Sequence, residues 1–120
     1  MTEHDDRNER GRAMYEEVNR MAPPPSTSPF MEATVDYVFG EVWDRPGLTR
    51  KERRWIALTA VASSGSLAAM QIHVRTALES GDISLEEMRE FVLQLALYQG
   101  WPKAATLHIV VEEAGARASS

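Results

Sequence analysis

Proline and glycine punctuate this chain at intervals of roughly one helix, and that spacing decides what it can fold into. Pro23-Pro24-Pro25 forbids helix, because proline lacks the amide hydrogen and its ring collides with the preceding turn. Pro46-Gly47 makes a turn, Gly65, Gly81 and Gly100 each end a segment, and Pro102 restarts one. Between these breaks the apolar residues recur at helical spacing. There is no β-alternation of useful length, no repeat and no low-complexity stretch. The expected fold is all-α, a single-domain bundle of about six helices.

Residues 1–8 are polar and expected to fray. A first helix is predicted over 9–22, with Met14, Val18 and Met21 as its apolar stripe and Gly11 as a weak point. Residues 23–28 read as a Pro/Ser linker, followed by a helical core over 29–116. Ser28 before Pro29 is a good helix start, and that helix should run from about Phe30 to Asp44. Thr49 with Glu52 forms a capping box for the next. Its segment from Trp55 to Ala62 is apolar on nearly every side and is expected to lie buried at the centre of the fold. A fourth helix from about Ser66 to Ser80 carries Leu67, Met70, Val74 and Leu78 on one stripe.

Ser84 with Glu87 is a second capping box, opening a helix that reaches Gln99. Met88, Phe91, Val92 and Leu95 form its core stripe, while Leu93 and Leu97 lie on the other side. Two apolar faces on one helix of a small protein point to packing against another subunit. A last helix runs from Pro102 to about Ala114.

Composition narrows the function classes. A chain of 120 residues with a formal charge of -5 lacks the basic surface that nucleic-acid binding requires. No apolar run approaches the roughly 20 residues needed to span a bilayer. Met1-Thr2-Glu3-His4-Asp5-Asp6 is acidic and polar, unlike a signal peptide, so a cytoplasmic location is expected. Zero cysteines removes disulfides, thiolate metal sites and cysteine nucleophiles.

Few residues remain that could carry chemistry. His4 lies in the polar tail. His108 sits beside an apolar stripe with Glu112 four residues on, which reads as a partly exposed, paired histidine. His73 is flanked at helical spacing by Ser66, Ala69, Thr76 and Ala77, all small. Such a setting either lets another helix approach or leaves room for a ligand. No histidine or carboxylate stands four residues either side of His73, which argues against a metal site. Glu41 shares a helix side with Tyr37 and Val38, and Arg45 at i+4 is its nearest candidate partner.

Several segments resemble the carboxymuconolactone decarboxylase family, within the alkylhydroperoxidase-like helical superfamily. Gly40-Glu41-Val42-Trp43-Asp44-Arg45-Pro46-Gly47-Leu48 is similar to that family's Gly-Glu-[Ile/Val]-Trp-x-Arg-Pro-Gly-Leu. Arg53 falls on the arginine at the following helix start. His73-Val74-Arg75-Thr76-Ala77 resembles its His-x-Arg-x-Ala, Tyr98-Gln99-Gly100-Trp101-Pro102 its Tyr-x-Gly-x-Pro, and Glu9-Arg10-Gly11 its opening Glu-Arg-Gly. Peroxidase-type members of the superfamily carry Cys-x-x-Cys ahead of the histidine, where this chain has Ser66 and Ala69, and a glutamate at the position of Arg54. Thiol peroxidase chemistry needs a thiolate and is excluded. The chain also departs from the decarboxylases, with Ala69 where they often carry a glutamate and Arg53-Arg54-Trp55 in place of Arg-Ser-Leu.

The resemblance implies an alkylhydroperoxidase-like fold and cofactor-independent decarboxylation of an anionic lactone such as 4-carboxymuconolactone, whose conjugated carbonyl takes up the electrons. It implies His73 as general acid, since imidazole titrates near neutrality, with Glu41 as a second catalytic residue that orients it or shares the proton. Arg45 and Arg53 would bind carboxylates, and Trp43, Tyr98 and Trp101 would wall the site. A homo-oligomer of three or six subunits is implied as well. Two alternatives stand beside this reading. One is a cofactor-free cyclase, isomerase or lyase on the same scaffold, favoured by Ala69 and Trp55; the other is a non-catalytic oligomeric helical protein.

Overall fold

The computed structural model describes residues 3–118, and each secondary-structure element among them is helical. The helices group into two compact units, Met1–Thr49 and Arg50–Ser120. No helix of the described residues is long and apolar enough to cross a membrane.

In the first unit, a short α2 (Pro29–Ala33) continues into a π-helix, Thr34–Val42, and α1 (Glu3–Asn19) packs on that π-helix. The first helix starts inside the stretch expected to fray, while residues 1 and 2 lie outside the described residues. It also stops earlier than expected, because Arg20 turns into the left-handed region at φ 54°. Met21 therefore falls outside the stripe and is exposed, while Val18 is buried as predicted. Ser28 caps α2 as expected, its Oγ accepting from the Met31 amide at 3.1 Å.

The π-helix was not foreseen. Its wider turn is visible at the exit, where the Trp43 amide donates to the Val38 carbonyl, five residues back, at 3.0 Å. That winding gathers Val35, Asp36, Phe39 and Gly40 as the buried residues of the element. The Asn8 side-chain amide donates to Asp36 Oδ1 at 2.8 Å, which satisfies a carboxylate that is only 6% exposed. Gly11 and Gly40 are where the two backbones meet. A Cβ on Gly11 would lie 1.9 Å from the Val35 carbonyl oxygen, and one on Gly40 would lie 2.9 Å from the Arg7 oxygen. Gly11 is therefore the crossing point of the unit rather than a weak point in a helix.

The second unit comprises α3 (Arg50–Ser64), α4 (Leu67–Ser80), α5 (Leu85–Gln99) and α6 (Trp101–Ala118). Ser84 and Glu87 form the predicted reciprocal capping box at 3.1 and 3.0 Å, and Ser66, expected as the first helical residue, instead caps α4 by accepting from the Ala69 amide. The core is built from Met70, Val74 and Ala77 of α4 against Leu107, Val110, Val111 and Ala114 of α6, closed by Ile83, Met88 and Leu95. On α3 the expectation of all-round burial is not met. Its buried residues are Arg54, Leu58 and Ala62, a single i, i+4, i+8 stripe, and Ile56 is 60% exposed. The Lys103 ammonium donates to the Ser63 carbonyl at 2.7 Å, satisfying an end of α3, and Lys51 pairs with Glu87 across to α5.

A Gly11→Ala substitution tests the crossing. Forcing a methyl against the Val35 carbonyl should destabilise the protein by roughly 2 kcal/mol or more, the cost of overpacking a close contact. The control is Ala13→Ser on the exposed side of α1, which should shift denaturant unfolding by a few tenths of a kcal/mol. Equal effects of the two would contradict this account.

Candidate functional site

His73 lies in the middle of α4 and is half-buried. The small residues on its C-terminal side, Thr76 and Ala77, are buried in helix packing, whereas Ser66 is exposed and Ala69 half-exposed. The helix-packing reading of those small neighbours therefore holds for Thr76 and Ala77.

Beneath this turn lies a buried guanidinium. Arg54, on the inner stripe of α3, is 3% exposed, and its Nε donates to Asp82 Oδ2 at 2.6 Å. Its Nη1 donates to Thr76 Oγ1 at 3.3 Å, and that hydroxyl donates to the His73 carbonyl at 3.2 Å. Asp82 is placed by the turn after α4, where Gly81 adopts φ 79° and the Ser80 hydroxyl accepts from the Asp82 amide. Burial, and secondarily the positive charge of Arg54, hold the His73 imidazole below its ordinary value. The shift favours the neutral imidazole in the free protein, so protonation comes at lower pH than for an unperturbed histidine.

Glu41 takes a different partner from the one its spacing suggests. Its carboxylate pairs with Arg7 of α1, Nε to Oε1 at 2.9 Å, and stays 42% exposed rather than facing inward. Trp43 stacks on Phe39 with centroids 5.8 Å apart and planes at 15°, and Phe39 meets Tyr15 edge-on at 4.9 Å. Both residues thus help to join the helices of the first unit. Arg45 is exposed on the turn that follows.

In the second unit Arg53 is half-buried, one position round α3 from Arg54. Tyr98 and Trp101, expected to wall the site, are 79% and 69% exposed. Trp101 instead lines a groove between α5 and α6 of about 590 Å³, which His73 does not border. Val92, Leu93, Ala96, Ala104 and Ala105 form its apolar walls. At its polar end Arg89 grips Glu112 through two bonds of 2.9 and 2.8 Å, which holds the Glu112 carboxyl below the usual carboxylate range. His108 is exposed at the same rim, so Glu112 has Arg89 as its hydrogen-bond partner rather than the histidine alone. Among the described residues, no three histidine or carboxylate side chains come together in a way that could hold a metal ion.

The structure thus joins Arg54 to Asp82 and Thr76, ties Thr76 to the His73 backbone carbonyl, and pairs Glu41 with Arg7. Arg54 was legible in principle: it precedes Leu58 by four residues and Ala62 by eight, which places a cation on the helix's apolar stripe.

Residues 28–113 match the Carboxymuconolactone decarboxylase family. The chain is 35% identical over 89 residues to a nitrosuccinic acid decarboxylase of Metarhizium robertsii, covering 74% of this chain and 62% of that protein. It is 31% identical over 77 residues to a 4-carboxymuconolactone decarboxylase of Acinetobacter baylyi, covering 63% and 57%. It therefore spans about three-fifths of the length of these curated relatives. With the match running from the cap of α2 into the last turns of α6, the chain belongs to the carboxymuconolactone decarboxylase family.

Proposed function

We propose that this protein is a cofactor-independent decarboxylase of a small carboxylic acid that carries its own electron sink, with His73 as the acid/base group. The observation that carries the reading is a half-buried imidazole whose helix turn is tied to a buried cation through Thr76, in a family with two decarboxylases among this chain's relatives. In the reaction the bond between carbon and carboxylate breaks, CO2 leaves, and the electron pair passes into the substrate's conjugated acceptor. The resulting anion takes a proton on carbon from the His73 imidazolium, which water then recharges. Arg53 is the candidate ligand for a substrate carboxylate. Glu41 has no part in the proton transfer on this reading, because its carboxylate serves Arg7.

A neutral imidazole in the free protein is compatible with this role because the ligand is an anion. A carboxylate arriving beside His73 favours the imidazolium, opposing the effect of Arg54 and burial. Two substrates are the first to test, 4-carboxymuconolactone and nitrosuccinic acid, each named for one relative. They share a carboxylate on an electron-poor skeleton.

The exposed apolar residues of the second unit point to self-association. Leu93, Leu97, Trp101 and Ile109 are each more than half exposed on α5 and α6, an apolar surface that a second copy would cover. Light scattering on the purified protein should report an oligomer, and Leu97→Asp should lower its mass; a monomeric wild type would refute the assignment.

Release of CO2 from each substrate, followed by product NMR, tests the reaction. His73→Ala should lower turnover by about a hundredfold or more with the helical circular dichroism spectrum unchanged. Wild-type turnover in that variant would remove His73 from the mechanism. For pH, the free enzyme must gain a proton before it can deliver one. The value of kcat/KM should therefore fall as pH rises through the His73 value, which lies below the ordinary 6.5. The fall in kcat should come at higher pH, since the bound anion stabilises the imidazolium. A kcat/KM that rises through that window would mean the imidazole acts as a base.

A further inference from the structure

We propose that the buried Arg54–Asp82 pair is a positioning and charge-setting device for His73: Arg54 fixes the α4 turn that carries the imidazole, and Asp82 sets how much of the guanidinium charge the imidazole feels. The inference deepens the assignment of His73 as the acid/base group and rests on that reading.

The geometry supplies both halves. Arg54 spans two elements at once, with Nε on Asp82 after α4 and Nη1 on Thr76 within α4. Thr76 passes the restraint on by bonding the His73 carbonyl, so the turn bearing His73 is tied to α3 through one hydroxyl. A guanidinium suits this task because its donors are fixed in one plane, whereas a lysine ammonium is a single point on a flexible stem. Arg53, the neighbouring cation, lies off the buried stripe of α3.

Several charged groups of this unit are paired away from the imidazole, and Arg54 is the charge that acts on it. From α3, Lys51 reaches Glu87. On α4 itself, Arg75 lies 3.8 Å from Glu79. From α6, the face packed on α4 is the apolar row Leu107, Val110, Val111 and Ala114. Lys103 is held by the Ser63 carbonyl, Glu112 by Arg89, and Arg117 lies by Arg75 and Glu79 in a small cleft at the far end of α4. From the turn after α4, Asp82 bonds Arg54. The shift of the imidazole toward its neutral form, set first by burial and second by the Arg54 charge, agrees with this arrangement. A merely structural ion pair would stabilise the fold without making the charge state of His73 depend on either partner. A charge-setting pair makes it depend on both, and with opposite signs.

The test is an NMR titration of the His73 ring proton in the ligand-free protein, assigned by its loss in His73→Gln. Arg54→Met removes the cation and leaves the Asp82 carboxylate, so the His73 midpoint should rise. Asp82→Asn leaves the cation less compensated, so the midpoint should fall below that of the wild type. Arg54→Lys keeps the charge while losing the two-point grip, and its midpoint should stay close to wild type. If Arg54→Met does not fold, the Asp82→Asn and Arg54→Lys midpoints decide the matter between them. A midpoint unmoved in Asp82→Asn, or moved in the same direction as in Arg54→Met, overturns the proposal. So does an Arg54→Lys midpoint as high as that of a solvent-exposed histidine. These readouts need no turnover: decarboxylation surviving in His73→Ala would refute the acid/base assignment, whereas the titration refutes or supports the charge-setting pair alone.

Discussion

A guanidinium in the interior of a helical bundle is the feature on which the second unit depends most. An unpaired buried charge is costly, and removing one partner of such a pair typically costs about 3–5 kcal/mol. Arg54 is tolerated because Asp82 and Thr76 satisfy it, and those two partners come from different segments of the chain. The pair therefore fixes α3, α4 and the turn after α4 relative to one another at one point. An apolar substitute of similar volume could stabilise the bundle equally well. The presence of a charge at this place, beside the unit's half-buried histidine, is easier to understand from chemistry than from stability.

The first unit is organised by a different constraint, the close approach of two backbones at Gly11 and Gly40. Once that contact is made, the π-helix presents Asp36 to Asn8 and Phe39 to Tyr15. The Gly-Glu-Val-Trp stretch accordingly has a structural task in full view. Gly40 allows the contact, Glu41 binds Arg7, and Trp43 covers Phe39. A motif that marks the family can thus be retained for its fold as much as for its chemistry.

Much of the fold was legible because it rests on local signals. Ser28 and Ser84 cap helices as their spacing implies, and the second apolar face of α5 at Leu93 and Leu97 is indeed exposed. What escaped the sequence was set by tertiary contacts. The π-turns over Thr34–Val42 leave no mark in apolar periodicity, since a single inserted position differs little from an α-helical register. Gly11 looks like a helix weakness until the Val35 carbonyl is placed against it. Trp55 to Ala62 looks buried all round because hydropathy alone cannot tell an exposed Ile56 from a buried Leu58. The candidate site was legible at His73 and not at its support. Arg45 is the spacing partner of Glu41, but Arg7 is the one in the structure; Arg54 read as a departure from a pattern, not as a buried cation.

The two halves of the functional account meet in one idea, that His73 is neutral until an anion arrives. Calorimetric titration with succinate, an unreactive dicarboxylate, tests it most directly when run near neutral pH in buffers of different ionisation enthalpy. The account predicts net proton uptake on binding in the wild type and its loss in His73→Gln. Binding without proton uptake, or uptake that persists in His73→Gln, would contradict it.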